Sequence, residues 1–98
     1  MNGTPTEWLA KAWDDLRVVE LLQVFEEYPC AAAAFHCQQA VEKSLKAFLI
    51  ACHIPFLYRH DLGYLLDLCL DADPEFAVLE SQIEGLTPMN YTGYKPDC

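Results

Sequence analysis

Cys30-Ala31-Ala32-Ala33-Ala34-Phe35-His36-Cys37-Gln38-Gln39-Ala40-Val41-Glu42-Lys43-Ser44-Leu45-Lys46-Ala47-Phe48-Leu49-Ile50-Ala51-Cys52-His53 is the stretch whose reading decides the fold. Projected at about 100° per residue, it places Ala33, Ala34, Cys37, Ala40, Val41, Leu45, Ala47, Phe48 and Cys52 on one wide arc. His36, Gln39, Glu42, Lys43, Lys46 and His53 fall on the remainder. An apolar arc this wide exceeds what a surface helix needs. The segment is therefore expected to sit centrally, against two or more elements, or against one element and a second subunit. Its alanines let neighbouring backbones approach closely. Gln38 projects between Leu45 and Leu49 on the apolar side, and a buried amide must find hydrogen-bond partners. It is read as a structural polar residue.

Helical pattern continues on both sides. Upstream, Thr4-Pro5-Thr6 supplies a cap and an early proline, and Glu7 complements the positive end of a helix. From there Leu9, Ala12, Trp13, Leu16, Val19 and Leu22 or Gln23 recur at helical spacing to about Tyr28, and Pro29 marks a short turn into an antiparallel neighbour. Downstream, Ile54 before Pro55 breaks the central helix. A third helix is expected from His60-Asp61-Leu62, with Leu62, Leu65, Leu66 and Cys69 as its core stripe. A fourth is expected to start at Asp71 or Asp73 with Pro74 and to carry Phe76, Leu79, Ile83 and Leu86, with Gly85 near its end; Thr87 onward reads as loop. With no repeat and no strand-like alternation, the expected architecture is all-α: a single domain over residues 1–98, built as an antiparallel up-and-down four-helix bundle with a tail over 86–98.

Charge and cysteine content narrow the function classes. The net charge of −9 argues against broad nucleic-acid binding through the phosphate backbone, which needs a basic surface. Between His60 and Tyr94 stand seven acids (Asp61, Asp67, Asp71, Asp73, Glu75, Glu80, Glu84) and no Lys or Arg, so these helices read as a solvated face. Lys43, Lys46 and Arg59 leave room for a local basic site in mid-chain, with Arg59 in reach of the acidic fourth helix. No apolar run approaches a membrane span, and the N-terminus has no export signal, which gives a cytoplasmic expectation and no membrane partner. The five cysteines are odd in number and lack a C-x-x-C pair, so free structural thiols are expected rather than a disulfide framework or a metal site. No cofactor is implied.

Within this pattern, Ala34-Phe35-His36-Cys37-Gln38-Gln39-Ala40-Val41-Glu42-Lys43-Ser44-Leu45-Lys46-Ala47-Phe48-Leu49 resembles the "QQA-x-EK-x-LKA" helix of the HEPN family. His60-Asp61-Leu62 followed by Leu65-Leu66 resembles its "HDL-x-x-LL" helix start. Asp14-Asp15-Leu16 is similar to the opening helix, and Leu86-Thr87 through Tyr94-Lys95-Pro96-Asp97 is similar to its "LT…RYPD" stretch. The resemblance implies a bundle of four to five helices, a homodimer, and frequent pairing with a minimal nucleotidyltransferase in a toxin–antitoxin system. Active members are metal-independent ribonucleases that use an arginine, four to six arbitrary residues and a histidine at the start of the last helix. This sequence departs there. Arg17 and Arg59 have no histidine at that spacing, the tail reads Tyr94-Lys95-Pro96-Asp97, and Lys95 has no histidine after it. The chemistry needs a cation for phosphoryl charge and an imidazole to move protons. The expectation is thus a non-catalytic binding module lacking the family's last helix, with no catalytic residue assigned. The alternative is a ribonuclease toxin whose catalytic helix is missing or degenerate in this chain. A plain helical scaffold is a third option.

His36, Gln39, Lys43 and Lys46 form a polar stripe with a positive end. One reading is a solvated helix face with a Glu42–Lys46 pair worth a few tenths of a kcal/mol. The other is a site for an anion or a nucleotide phosphate. His60 and Asp61 are read as parts of a helix start, with His60 contacting a loop or the central helix. Tyr91 and Tyr94 become candidate modification targets of a nucleotidyltransferase by analogy with the family alone.

Overall fold

The computed structural model describes residues 3–57 and 59–79. Among them are three α-helices, α1 (Pro5–Leu22), α2 (Cys30–Ala51) and α3 (Leu62–Ala72), and a 3₁₀ helix over Pro74–Leu79, with no strand. None of these helices is long and apolar enough to cross a membrane.

Helix α1 starts on a capping box. The Glu7 amide donates to Thr4 Oγ1 at 3.1 Å, and the Thr4 amide donates to Glu7 Oε1 at 2.9 Å, satisfying two amides the helix leaves open. The helix ends at Leu22, short of the expected Tyr28. Val24 and Phe25 donate instead to Leu21 and Leu22 carbonyls, the three-residue turns that close a helix end. The chain needs residues 23–29 to reverse direction before α2, so α1 cannot also use them.

Trp8, early in α1, lies 5.3 Å from Lys46 Nζ, late in α2, while Asp15 further along meets His36 and Lys43. The two helices therefore run antiparallel, as expected. The seam follows Trp8, Ala12, Asp15, Val19 and Leu22, all buried or half-buried. The expected stripe is only partly right, because Leu9, Trp13 and Leu16 sit about one 100° step round the cylinder and are exposed by 51%, 65% and 38%.

Helix α2 is central, contacting both α1 and α3. Ala33, Ala40, Leu45, Ala47 and Leu49 of its apolar side are buried, and Gln38 is buried among them. It ends in a Schellman motif: His53 donates to Ile50 O at 3.0 Å and Ile54 to Leu49 O at 2.9 Å. His53, the residue that turns the chain, has φ 59°.

An apolar cluster joins α2 to α3. Leu45, Leu49, Phe56, Leu62, Leu65, Leu66 and Cys69 are buried together, so the whole predicted α3 stripe faces inward. Asp61 caps α3, accepting from the Tyr64 amide at 3.1 Å. Among the described residues Arg59 pairs with Asp61 at 3.1 Å, rather than with an acid of the fourth segment, and lies over the Tyr64 ring at 4.8 Å. The expected fourth helix is the 3₁₀ helix as far as it is described. It begins with Asp73 accepting from the Glu75 amide, and Phe76 packs edge-on against Phe48. Ile83, Gly85, Leu86, Tyr91 and the stretch from Tyr94 to Asp97 lie outside the described residues. Cys37, Cys52 and Cys69 carry free thiols. Cys30, at the first residue of α2 and ahead of its apolar arc, departs from the expectation and is disulfide-bonded.

Candidate functional site: a lysine-lined hollow

Two carboxylates organise the polar side of α2. The first is Asp15 of α1, whose side chain is 9% exposed. Lys43 Nζ donates to its Oδ2 at 2.6 Å and His36 Nδ1 contacts its Oδ1 at 2.8 Å. Burial alone raises the pKa of Asp15. The hydrogen bonds and positive charges of Lys43 and His36 outweigh it and hold the carboxyl below its ordinary 3.8.

The second is Glu42. Its Oε2 accepts from Lys46 Nζ at 2.9 Å and meets His60 Nδ1 at 2.8 Å. The expected Glu42–Lys46 pair forms, but it is not the solvated pair of the sequence reading, since both side chains are only 2% exposed. Trp8 is the reason. Its ring lies across Lys46, a contact that a projection of α2 alone does not contain. Gly3 helps to seat that ring, because it adopts φ 96° and a Cβ there would come within 3.0 Å of Trp8 Nε1. Glu42 Oε1 is buried with no hydrogen-bond partner among the described residues.

Around these groups lies an open hollow of about 490 Å³, lined by Trp8, Lys11, Gln39, Glu42, Lys43, Lys46 and His60. Of the stripe assigned from sequence, Gln39, Lys43 and Lys46 come together here. His36 does not line the hollow; it secures α2 to α1 through Asp15. Of the residues assigned a structural role, Gln38 is buried, Asp61 is the α3 cap, and His60 contacts the central helix as expected. Glu42 proves to be the link between α2 and the segment leading into α3. Trp8 and Lys11 were missed. Their i,i+3 spacing on α1 is the one sequence signal that could have found them, and Lys11 Nζ does lie 6.0 Å from the Trp8 ring.

The arrangement can bind an anion. Cations at the edge of an aromatic ring can hold an anion that also carries a flat or apolar group. Lys43 and Lys46 each already face a carboxylate, so Lys11 is the lining cation with most charge to offer a ligand.

No curated protein and no solved structure matches the chain. The family model of the HEPN domain matches residues 6–97, which include every residue lining the hollow, and the chain belongs to that family.

Proposed function

We propose that this chain is a non-catalytic HEPN binding module of the cytoplasm that works as a homodimer with a minimal nucleotidyltransferase, in a toxin–antitoxin-type or nucleotide-related system. Its own ligand site is the hollow, which holds a nucleotide through its phosphates. One observation carries this reading. Lys11, Lys43 and Lys46, three of the four lysines in a chain of net charge −9, converge on one hollow beside Trp8. Lys43 and Lys46 are balanced by Asp15 and Glu42, so Lys11 supplies the excess positive charge of a local anion site, while the acidic remainder repels long nucleic acids. Neither Arg17 nor Arg59 is followed by a histidine at ribonuclease spacing, which supports the non-catalytic part.

Calorimetric titration of nucleoside mono- and triphosphates tests the site. Binding is expected for the wild type and weakened in Lys11→Ala, which removes a cation without breaking a buried pair. Equal affinities, or no binding, remove the nucleotide reading. Incubation with total RNA tests the remainder: the RNA is expected to stay intact, and metal-independent cleavage by the purified chain would overturn the non-catalytic assignment.

A further inference from the structure

His60 lines the same hollow, and its two ring nitrogens are in different situations. Nδ1 is 2.8 Å from Glu42 Oε2, while the imidazole as a whole is 79% exposed. An ionised carboxylate only accepts hydrogen bonds, so Nδ1 carries the proton. In the neutral ring the lone pair then sits on Nε2, on the side away from Glu42. A buried carboxylate thus fixes the tautomer and orientation of a solvent-facing nucleophile.

We propose that His60 is a phosphoryl acceptor, its Nε2 taking a phosphoryl group from a small phosphoramidate or acyl-phosphate donor held in the lysine-lined hollow. The proposal rests on the anion-holding reading of that hollow for the placement of the donor. Attack by the Nε2 lone pair forms an N–P bond as the donor's bond from phosphorus to its leaving group breaks. With phosphoramidate the leaving group departs as ammonia, and the Nδ1 proton stays where it is. The ring becomes a phosphorylated imidazolium, and its new positive charge develops beside Glu42, which is already in place to stabilise it. The negative phosphoryl oxygens develop in the space shared by Lys11 and Lys43, where ammonium donors suit them.

The other described histidines are internal controls. His36 has a comparable carboxylate, Asp15 at 2.8 Å, but its side chain is only 31% exposed and lies outside the hollow lining. His53 is exposed, and among the described residues no carboxylate contacts its ring.

The test is to incubate the full chain with phosphoramidate and follow each histidine by peptide mass spectrometry, under alkaline conditions that preserve phosphohistidine. His60 is expected to be modified about tenfold faster than His53, a barrier difference within reach of a single well-placed charge. Lys11→Ala, an exposed substitution that leaves both buried pairs intact, is expected to remove most of that advantage. Glu42→Gln, if it folds, should remove the rest. Equal rates at His60 and His53, or faster modification of His36, would overturn the proposal. The nucleotide titration is a separate arm: nucleotide binding without His60 selectivity removes this proposal alone. Selectivity without nucleotide binding sustains it and removes only the nucleotide reading.

Discussion

Asp15 on α1 and Lys43 on α2 meet at 2.6 Å across the helix seam, and His36 shares the same carboxylate at 2.8 Å. One acid from the first helix thus binds two positions a full two turns apart on the second, at 36 and 43. The seam has few large apolar side chains to set its register, since α1 buries only Ala12 and Asp15 fully. Alanine seams allow close approach but slide easily, and a buried polar contact with fixed partners sets one alignment.

The first prediction concerns acid. Asp15 has a folded-state pKa below its ordinary 3.8, so its contribution is fully present above that value and is lost as pH falls through the folded pKa. The unfolded chain binds the proton more readily, which is the sign that makes stability fall with acid. Asp15→Asn is expected to destabilise the protein by about 1–3 kcal/mol at neutral pH. It should also flatten the decline in melting temperature below pH 4. An unchanged acid limb in the variant would show that Asp15 is not a linkage site.

Lys46 offers a sharper separation of structural from ligand-binding roles. Its ammonium and the Glu42 carboxylate are both 2% exposed, and removing Lys46 takes from the buried carboxylate its fully buried cation and leaves it, among the described residues, only the exposed His60 ring. Lys46→Met is expected to cost about 3–5 kcal/mol, while Glu42→Leu with Lys46→Met should recover most of that loss. Urea unfolding of the two single variants and the double variant measures it. Additive losses would mean that the pair is not coupled.

The left-handed turn at His53 gives a stabilising prediction. A φ of 59° is costly for a residue with a Cβ and free for glycine. His53→Gly relieves that strain but gains unfolded-state entropy, so the net expectation is stabilisation by about 0.5 kcal/mol. Scanning calorimetry should record a rise of about 2–4 °C for a domain of this size. A fall would mean that the imidazole makes a contact worth more than the strain.

These tests bear on how much could be read from the chain alone. The α3 stripe and the central position of α2 were legible because both follow from one helix's own periodicity. The seam of α1 was legible only in part, because Leu9, Trp13 and Leu16 match a core stripe as well as Ala12, Asp15 and Val19 match a seam. The projection cannot say which side meets α2. The site failed in the same way. Lys43 and Lys46 were found on α2, but the Trp8 ring that lies across Lys46 comes from 38 positions earlier in the chain. A short 3₁₀ segment replaces the expected fourth helix as far as Leu79 because Asp73 ties the turn through its side chain and its carbonyl, a local competition that spacing does not encode.

Thiol reactivity should follow burial. Cys69 is fully buried, and burial, with a smaller contribution from nearby Cys52, pushes its thiol up to about 11. The thiolate is the reactive form, so Cys69 should stay unlabelled by iodoacetamide at pH 8 until the protein unfolds. Cys52, exposed at the end of α2, should label readily. Mass-mapped alkylation with and without urea decides it, and prompt labelling of native Cys69 would contradict the described core.

The exposed side of α1 bears on the proposed homodimer. Leu9, Trp13 and Leu16 lie together there, and Trp13 is 65% exposed. Apolar side chains grouped at helical spacing on a small domain are an expensive surface to leave in water. Arg17 and Glu20 stand beside Trp13 and Leu16, so two copies related by a two-fold axis would present opposite charges to one another at the rim. Because α2 already packs against α1 and α3, the exposed side of α1 is the interface to test. Sedimentation at micromolar concentration is expected to show a dimer. Trp13→Lys should weaken it by about 2 kcal/mol or more, roughly thirtyfold in Kd, with the helical circular dichroism unchanged because the side chain makes little of the core. A monomeric wild type removes the homodimer. A dimer indifferent to Trp13→Lys keeps the homodimer and places its interface elsewhere.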